Sequence, residues 1–108
     1  MIVTAWNNGW FQSDGSGYGL LVNDNDREKY FSIRWNSVRL SFPAKREDTQ
    51  INIDNSLFRF ESGGILMSQA IGLWLIEAGF SSWVLDEAPR VVLEPQVGSH
   101  FKIIDVLG

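Results

Sequence analysis

His100 is the only histidine in the chain, so any chemistry that needs an imidazole near neutral pH must use it. Its nearest candidate partners in sequence are Ser99 and Asp105. Adjacent residues on a strand point to opposite faces, so Ser99 and His100 make a poor nucleophile–base dyad. A surface or edge histidine is the plainer reading, and no catalytic residue is assigned. A site built on several histidines is excluded by the count, and cysteine sites are excluded because the chain has none.

Asp24, Asp26 and Glu28 alternate as the ligands of a cation loop do. A helix–loop–helix calcium site also needs glycine at the sixth position and a distal bidentate glutamate. Position 29 is lysine, and the three acids suit a helix start, where they complement the dipole. Gly15, Gly17 and Gly19 resemble a phosphate loop in spacing. A dinucleotide fingerprint opens a helix at its third glycine, however, and Tyr18 to Val22 reads as a strand. These glycines are read as serving a tight connection. Glu47-Asp48 and Asp86-Glu87 read as solvated loop charge. No metal and no cofactor is expected.

The aromatic content is the most unusual feature: five Trp, seven Phe and two Tyr in 108 residues. Trp74 belongs to a helical apolar face, and Trp35 reads as packed. Trp10, Phe11 and Tyr18 surround a long connection rich in Asn, Ser and Gly, and Trp83 follows the main helix. Large aromatics in loops either fold back as anchors or form a contact surface, where Trp and Tyr are favoured. Both readings stand for Trp10 and Phe11, while Trp83 reads first as an anchor. Trp10, Phe11, Tyr18 and Trp83 are therefore the candidates for partner or ligand contact.

Basic residues offer a rival surface. Arg34 beside Trp35, with Arg39, Lys45 and Arg46 on a following hairpin, could make a basic edge for single-stranded nucleic acid. The chain as a whole carries a net charge of −4, and proteins that wrap nucleic acid usually show a basic excess. Edge-strand charge that discourages aggregation is the ordinary reading of these residues. A small-ligand pocket is a third possibility, with Tyr18, Arg34, Glu77 and His100 as polar anchors.

Alternation and turn chemistry set the elements that must hold these groups. Ile2 to Trp6 reads as a strand, Asn7-Asn8-Gly9 as a turn and Tyr18 to Val22 as a second strand. Asp24 to Tyr30 reads as a short helix capped by Asp24 or Asp26. Ile33 to Trp35 reads as a short strand. Val38, Leu40 and Phe42 alternate with Arg39 and Ser41, and Pro43 ends that strand. Ile51 and Ile53 mark its return. Leu57 to Glu61 is ambiguous between strand and helix start. Ile65 to Ala78 reads as one long helix ended by Gly79, with Met67, Ala70, Ile71, Trp74, Leu75 and Ala78 on one face. Ile65, Leu73 and Ile76 make it apolar on a second side, which a sheet or a second subunit must cover. Val91 to Glu94 and Phe101 to Val106 complete the order.

The expected architecture is α+β: an antiparallel or mixed curved sheet of five to six strands, packed on one long helix over about 65–78, with a partly open barrel as the variant. The whole chain, 1–108, reads as a single globular domain. It has 44% apolar residues, and its 12.2 kDa should leave about 6,000 Å² exposed when folded. Met1 to Ala5 lacks the basic start of a signal peptide, and the apolar run from Ile65 is too short and polar to span a membrane. A cytoplasmic location is expected.

Five segments carry a resemblance: Ala5-Trp6-Asn7-Asn8-Gly9, Gly17-Tyr18-Gly19, Asp26-Arg27-Glu28-Lys29-Tyr30-Phe31, Ile71-Gly72-Leu73-Trp74-Leu75 and Leu93-Glu94-Pro95. In these the chain resembles small bacterial proteins of mobile elements, the orphan products of integron gene cassettes among them. The resemblance implies a bacterial source and carries no activity or site residues. The sequence as a whole thus points to a non-enzymatic binding or interaction domain that self-associates through aromatic and apolar surface. A small-molecule-binding protein or weak enzyme, and a nucleic-acid binder using the basic hairpin, are the alternatives.

Overall fold

The computed structural model describes residues 1–59, 63–84 and 86–107. Its strands are β1 (Ile2–Asn7), β2 (Tyr18–Val22), β3 (Ser37–Ser41), β4 (Thr49–Asn52), β5 (Gly64–Met67), β6 (Arg90–Pro95) and β7 (His100–Leu107). Its helices are α1 (Asp24–Tyr30), α2 (Ser56–Arg59) and α3 (Gln69–Ala78). The fold is α+β, and the strands form one mixed sheet in the order β4-β3-β7-β6-β1-β2-β5. The described strand pairs are antiparallel except β3 with β7, which is parallel. The end strands β4 and β5 approach each other, so the sheet is nearly closed and barrel-like. A register shift between Val92 and Leu93 bends the β6–β7 pair, as an inserted residue does.

Alternation fills the barrel. Val3 and Ala5 of β1, Leu20 of β2, Leu66 of β5, Leu93 of β6, Phe101 of β7 and Leu40 of β3 are buried. Their strand neighbours, such as Thr4, Arg39 and Lys102, face outward. Each fully buried large apolar side chain contributes about 1.5–3 kcal/mol relative to exposure. The short helices close the ends. Phe31, just after α1, stacks on Phe101 at 4.7 Å and meets Phe58 of α2 at 5.0 Å. At the other end Trp74 of α3 meets Phe42 at 5.8 Å. The folded chain exposes 6520 Å², near the expectation from mass.

The single long helix over 65–78 does not form. Gly64–Met67 is strand β5, paired with β2 through Leu20↔Leu66 and Leu21↔Ile65. Ser68 then caps a ten-residue helix, its side chain accepting from the Ala70 N–H. Met67 accordingly leaves the helical face and is 37% exposed. No curved sheet wraps a central helix; the barrel interior belongs to the strands. Leu73, on the helix side expected to be covered, is 42% exposed.

Other boundaries moved less. Ile33 to Trp35 is a turn rather than a strand, with the Trp35 N–H bonded to the Ser32 carbonyl at 3.1 Å. Asn23, not Asp24 or Asp26, caps α1 by accepting from the Asp26 N–H at 2.9 Å. The ambiguous stretch opens as helix α2, and its last positions, 60 and 61, lie outside the described residues. Gly79 does end α3 in the left-handed conformation, at φ 82°. No described helix is long and apolar enough to cross a membrane.

Candidate functional site

The connection between β1 and β2 is a built platform. Its neck is closed by the Asn8 N–H donating to the Gly17 carbonyl at 3.0 Å. The Asn7 side chain donates to the Trp10 carbonyl at 2.9 Å and accepts from the Gly9 N–H at 2.8 Å. The Asn8 side chain accepts from the Trp10 N–H at 3.2 Å. Both asparagines thus replace the backbone partners that a strand would supply. Further on, Asp14 accepts from the Ser16 N–H and hydroxyl, which hold its carboxyl below the usual range.

The platform is seated on α3. The Gln69 side chain donates to the Asp14 carbonyl at 2.8 Å. Gly15, at φ 83°, lies so near the helix that a β-carbon on Gly72 would stand 2.0 Å from the Gly15 carbonyl oxygen. Two glycines in contact let the loop backbone lie directly on the helix backbone.

On this base the aromatics are ranked by exposure. Tyr18 is 1% exposed, and its hydroxyl donates to the Ser81 carbonyl, joining β2 to the segment after α3. Trp83 is half-buried and meets Tyr18 at 6.1 Å. Phe11 is 49% exposed and meets Trp83 edge-on at 5.2 Å and Tyr18 at 6.2 Å. Such edge contacts add about 0.5–1.5 kcal/mol each beyond burial. Trp10 stands furthest out at 71% exposed. Three of the four contact candidates, Phe11, Tyr18 and Trp83, meet in one cluster, and Trp10 is the chain neighbour of Phe11. Tyr18 and Trp83 support the cluster, and Phe11 and Trp10 are the more exposed.

Burial pushes the Tyr18 phenol above its ordinary value. An acid raised on folding contributes stability that is whole below its unfolded pKa, about 10 for tyrosine, and lost as pH rises through the folded one. Alkaline titration is thus expected to unfold the protein from above about pH 10. In Tyr18→Phe that dependence should flatten, at a cost of about 1 kcal/mol at neutral pH for the lost hydrogen bond. Thermal melts of both proteins across pH check this. Equal alkaline slopes would assign the loss elsewhere.

A second polar cluster lies on the outer face of β3 and β7. The Ser41 hydroxyl is 2.5 Å from Asp48 Oδ1 and 2.5 Å from His100 Nε2. Asp48 Oδ2 is also 3.3 Å from Arg39 Nε and 3.6 Å from His100 Nε2. A nucleophile triad puts the carboxylate on the far ring nitrogen, where it orients the base. Here serine and carboxylate share one ring nitrogen. An ionised carboxylate can only accept, so Ser41 donates to Asp48 and His100 Nε2–H donates to Ser41. The serine proton is directed away from the imidazole. The cluster ties the β3–β4 turn to β7, with Asp48 as its hub. Asp48→Ala should cost about 1 kcal/mol, since the carboxylate is partly solvated. A denaturant midpoint measured beside Asp48→Asn checks it.

Ser41 and Asp48 were not legible as partners of His100. The parallel register Arg39↔His100 and Ser41↔Lys102 joins strands far apart in sequence, and no local pattern signals it. Of the basic-edge candidates, Arg39, Lys45 and Arg46 lie in the β3–β4 hairpin, two of them paired with acids. Lys45 pairs with Glu77 of α3 at 2.9 Å and Arg39 with Asp48, while Arg34 sits in the turn before β3 and Arg46 in the exposed β3–β4 turn. Of the pocket anchors Tyr18, Arg34, Glu77 and His100, His100 lines one surface cavity and Glu77 another, while Tyr18 is buried. A cavity of 320 Å³ between α1 and α2 is lined by none of them. Its Arg27 donates to the Phe58 and Gly63 carbonyls, and its Arg59 to those of Ile33 and Trp35. These guanidinium groups hold the backbone together at that end of the barrel.

No family model, curated protein or solved structure matches this chain.

Proposed function

We propose that the chain is a non-enzymatic binding domain whose contact surface is the aromatic platform, and that its occupant is a second copy of the chain. The observation that carries this is Trp10, 71% exposed on a loop held by hydrogen bonds from both asparagines and seated on α3. A tryptophan so fixed has little side-chain and loop freedom left to lose, which lowers the cost of association. Mobile loops leave aromatics free to fold back; this one holds its aromatic outward.

Charge supports self-association over a charged partner. No charged side chain occurs in 7–13 or 79–84, the segments that carry Trp10, Phe11 and Trp83; the acid of the loop, Asp14, follows them and is held by Ser16. Two copies of net charge −4 repel, and an uncharged patch is where they approach at least cost. Leu73 and Val84, 42% and 64% exposed, lie on α3 and beside Trp83 and extend the apolar surface. A two-fold contact uses the same patch twice.

A dilution series read by tryptophan emission tests the reading. Trp10 leaves water on association, so its emission should shift to the red on dilution, and the shift should be absent in Trp10→Phe. An emission maximum independent of concentration in the wild-type chain, with light scattering at the single-chain mass throughout, would contradict it.

A further inference from the structure

The platform contains the one Asn-Gly pair of the sequence, Asn8-Gly9. From its surroundings we infer that Asn8 is a spontaneous deamidation site, and that its loss of ammonia switches off the contact surface. The second half of the inference rests on the function proposed above; the first does not.

The reaction needs four things, and position 8 has each. The next residue must let its backbone nitrogen reach the side-chain carbon. Gly9 carries no β-carbon, and the place where one would stand has nothing within 4 Å. The backbone must lie outside helix and ladder; residues 8 and 9 belong to no strand, and Gly9 has φ 106°. Water must be present, and Asn8, Gly9 and Trp10 are all exposed. The side-chain carbonyl must be electrophilic. The Trp10 N–H donating to Asn8 Oδ1 at 3.2 Å withdraws electron density from that carbon and would stabilise the oxygen as the ring closes. The opposing feature is the Gly9 N–H itself, which donates to Asn7 Oδ1 at 2.8 Å and must exchange that partner for a base from solvent.

The atoms balance without an added reagent other than water. Base removes the Gly9 amide proton, and the nitrogen bonds to Asn8 Cγ. The Cγ–Nδ2 bond breaks, and Nδ2 leaves as ammonia with the proton returned by solvent. The five-membered imide then takes up water at either carbonyl. One opening leaves an aspartyl residue at position 8. The other leaves an isoaspartyl residue, with one extra methylene in the main chain.

Both products act on the platform. The Asn8 side chain packs against Gly17, where a β-carbon would meet its Oδ1, Nδ2 and Cγ at 2.7–2.9 Å. The aspartyl product puts a new negative charge at the neck of the loop, two residues from Trp10, in addition to that of Asp14. A two-fold contact uses the patch twice, so the charge enters the interface twice and must be desolvated or repelled there. The isoaspartyl product lengthens the chain between the Asn8 N–H···Gly17 bond and Trp10, and so releases the tryptophan from its setting.

The test ages the full chain in mildly alkaline buffer at physiological temperature. Peptide mass mapping and an isoaspartyl methyl-transfer assay follow each asparagine. Position 8 should lose its ammonia while Asn36, before Ser37, and the other asparagines keep theirs; Asn8→Gln should stay unmodified. Loss at position 8 no faster than at position 36 would overturn the site. Light scattering then compares fresh protein, aged protein and Asn8→Asp. Loss of association in the aged protein and in Asn8→Asp supports the switch. Undiminished association of a fully modified sample overturns the switch while leaving the site standing. If fresh protein is already single-chain, the function proposed above fails, and the mass map still decides the site.

Discussion

Trp10→Ala/Phe11→Ala is expected to run at the single-chain mass of 12.2 kDa under conditions where the wild-type chain runs at twice that. Trp10 and Phe11 are the most exposed of the loop aromatics, at 71% and 49%, and Phe11 rests on Tyr18 and Trp83. Aromatic anchors at interface centres typically contribute about 2 kcal/mol or more, which is roughly a thirtyfold loss of affinity for each. The same change should spare the fold. Trp10 has little burial to lose, and the loss at Phe11 is limited to its edge contact with Trp83 and the apolar area beneath it. We expect a stability cost of about 1–2 kcal/mol. Sedimentation gives the first quantity and denaturant unfolding the second. A variant that unfolds before it dissociates would show these aromatics to be anchors of the core.

Gly72→Ala should have the largest effect of any single methyl added to the chain. Its β-carbon would stand 2.0 Å from the Gly15 carbonyl oxygen, inside any contact that backbone tolerates. The obstacle is main chain on both sides, so no rotamer change relieves it. Either α3 moves, losing Trp74 from Phe42, or the platform lifts from the helix. Overpacking of a close contact typically costs 1–3 kcal/mol, and we expect about 3 here, lowering Tm by about 15 °C. Gly79→Ala provides the contrast: nothing lies within 4 Å of the added carbon, and only the left-handed backbone at φ 82° resists it, at about 1 kcal/mol. The two melts together separate steric from conformational cost. The prediction also links stability to function, because a lifted platform should weaken association in Gly72→Ala.

Elements whose signal is local were legible. Val38, Leu40 and Phe42 alternate, and they are buried as alternation requires. Asn7-Asn8-Gly9 reads as turn chemistry, and there the chain leaves β1, which ends at Asn7, and bends at Gly9. Elements decided by pairing were not. Ile65 to Met67 is continuous in hydrophobicity with the helix that follows, so period alone cannot separate them. Ser68 was the local sign of a new helix start, and the partner strand β2 made the decision. The seventh strand, beyond the expected five or six, is β5, and the parallel β3–β7 pair that helps close the sheet joins residues sixty positions apart, which no local pattern signals.

The arrangement of the loop aromatics was half legible for the same reason. Residue type marked Trp10, Phe11, Tyr18 and Trp83, since large aromatics in a polar loop are unusual. Which of them supports and which presents depends on how the loop sits on α3, and that is set by Gly15 against Gly72 across more than fifty residues. The Ser41–Asp48–His100 cluster was not legible at all. Its residues lie on three segments whose register comes only from the assembled sheet.

A fixed, exposed tryptophan on an aromatic loop is what should make this chain associate with itself. The most direct test is the mass of the wild-type chain by light scattering across a wide concentration range on a sizing column. The mass should rise from 12.2 kDa towards twice that value with concentration, and added salt should not dissociate the pair, since the contact centres on aromatic rings and salt screens the repulsion between two chains of net charge −4. A constant mass of 12.2 kDa at every concentration would contradict it.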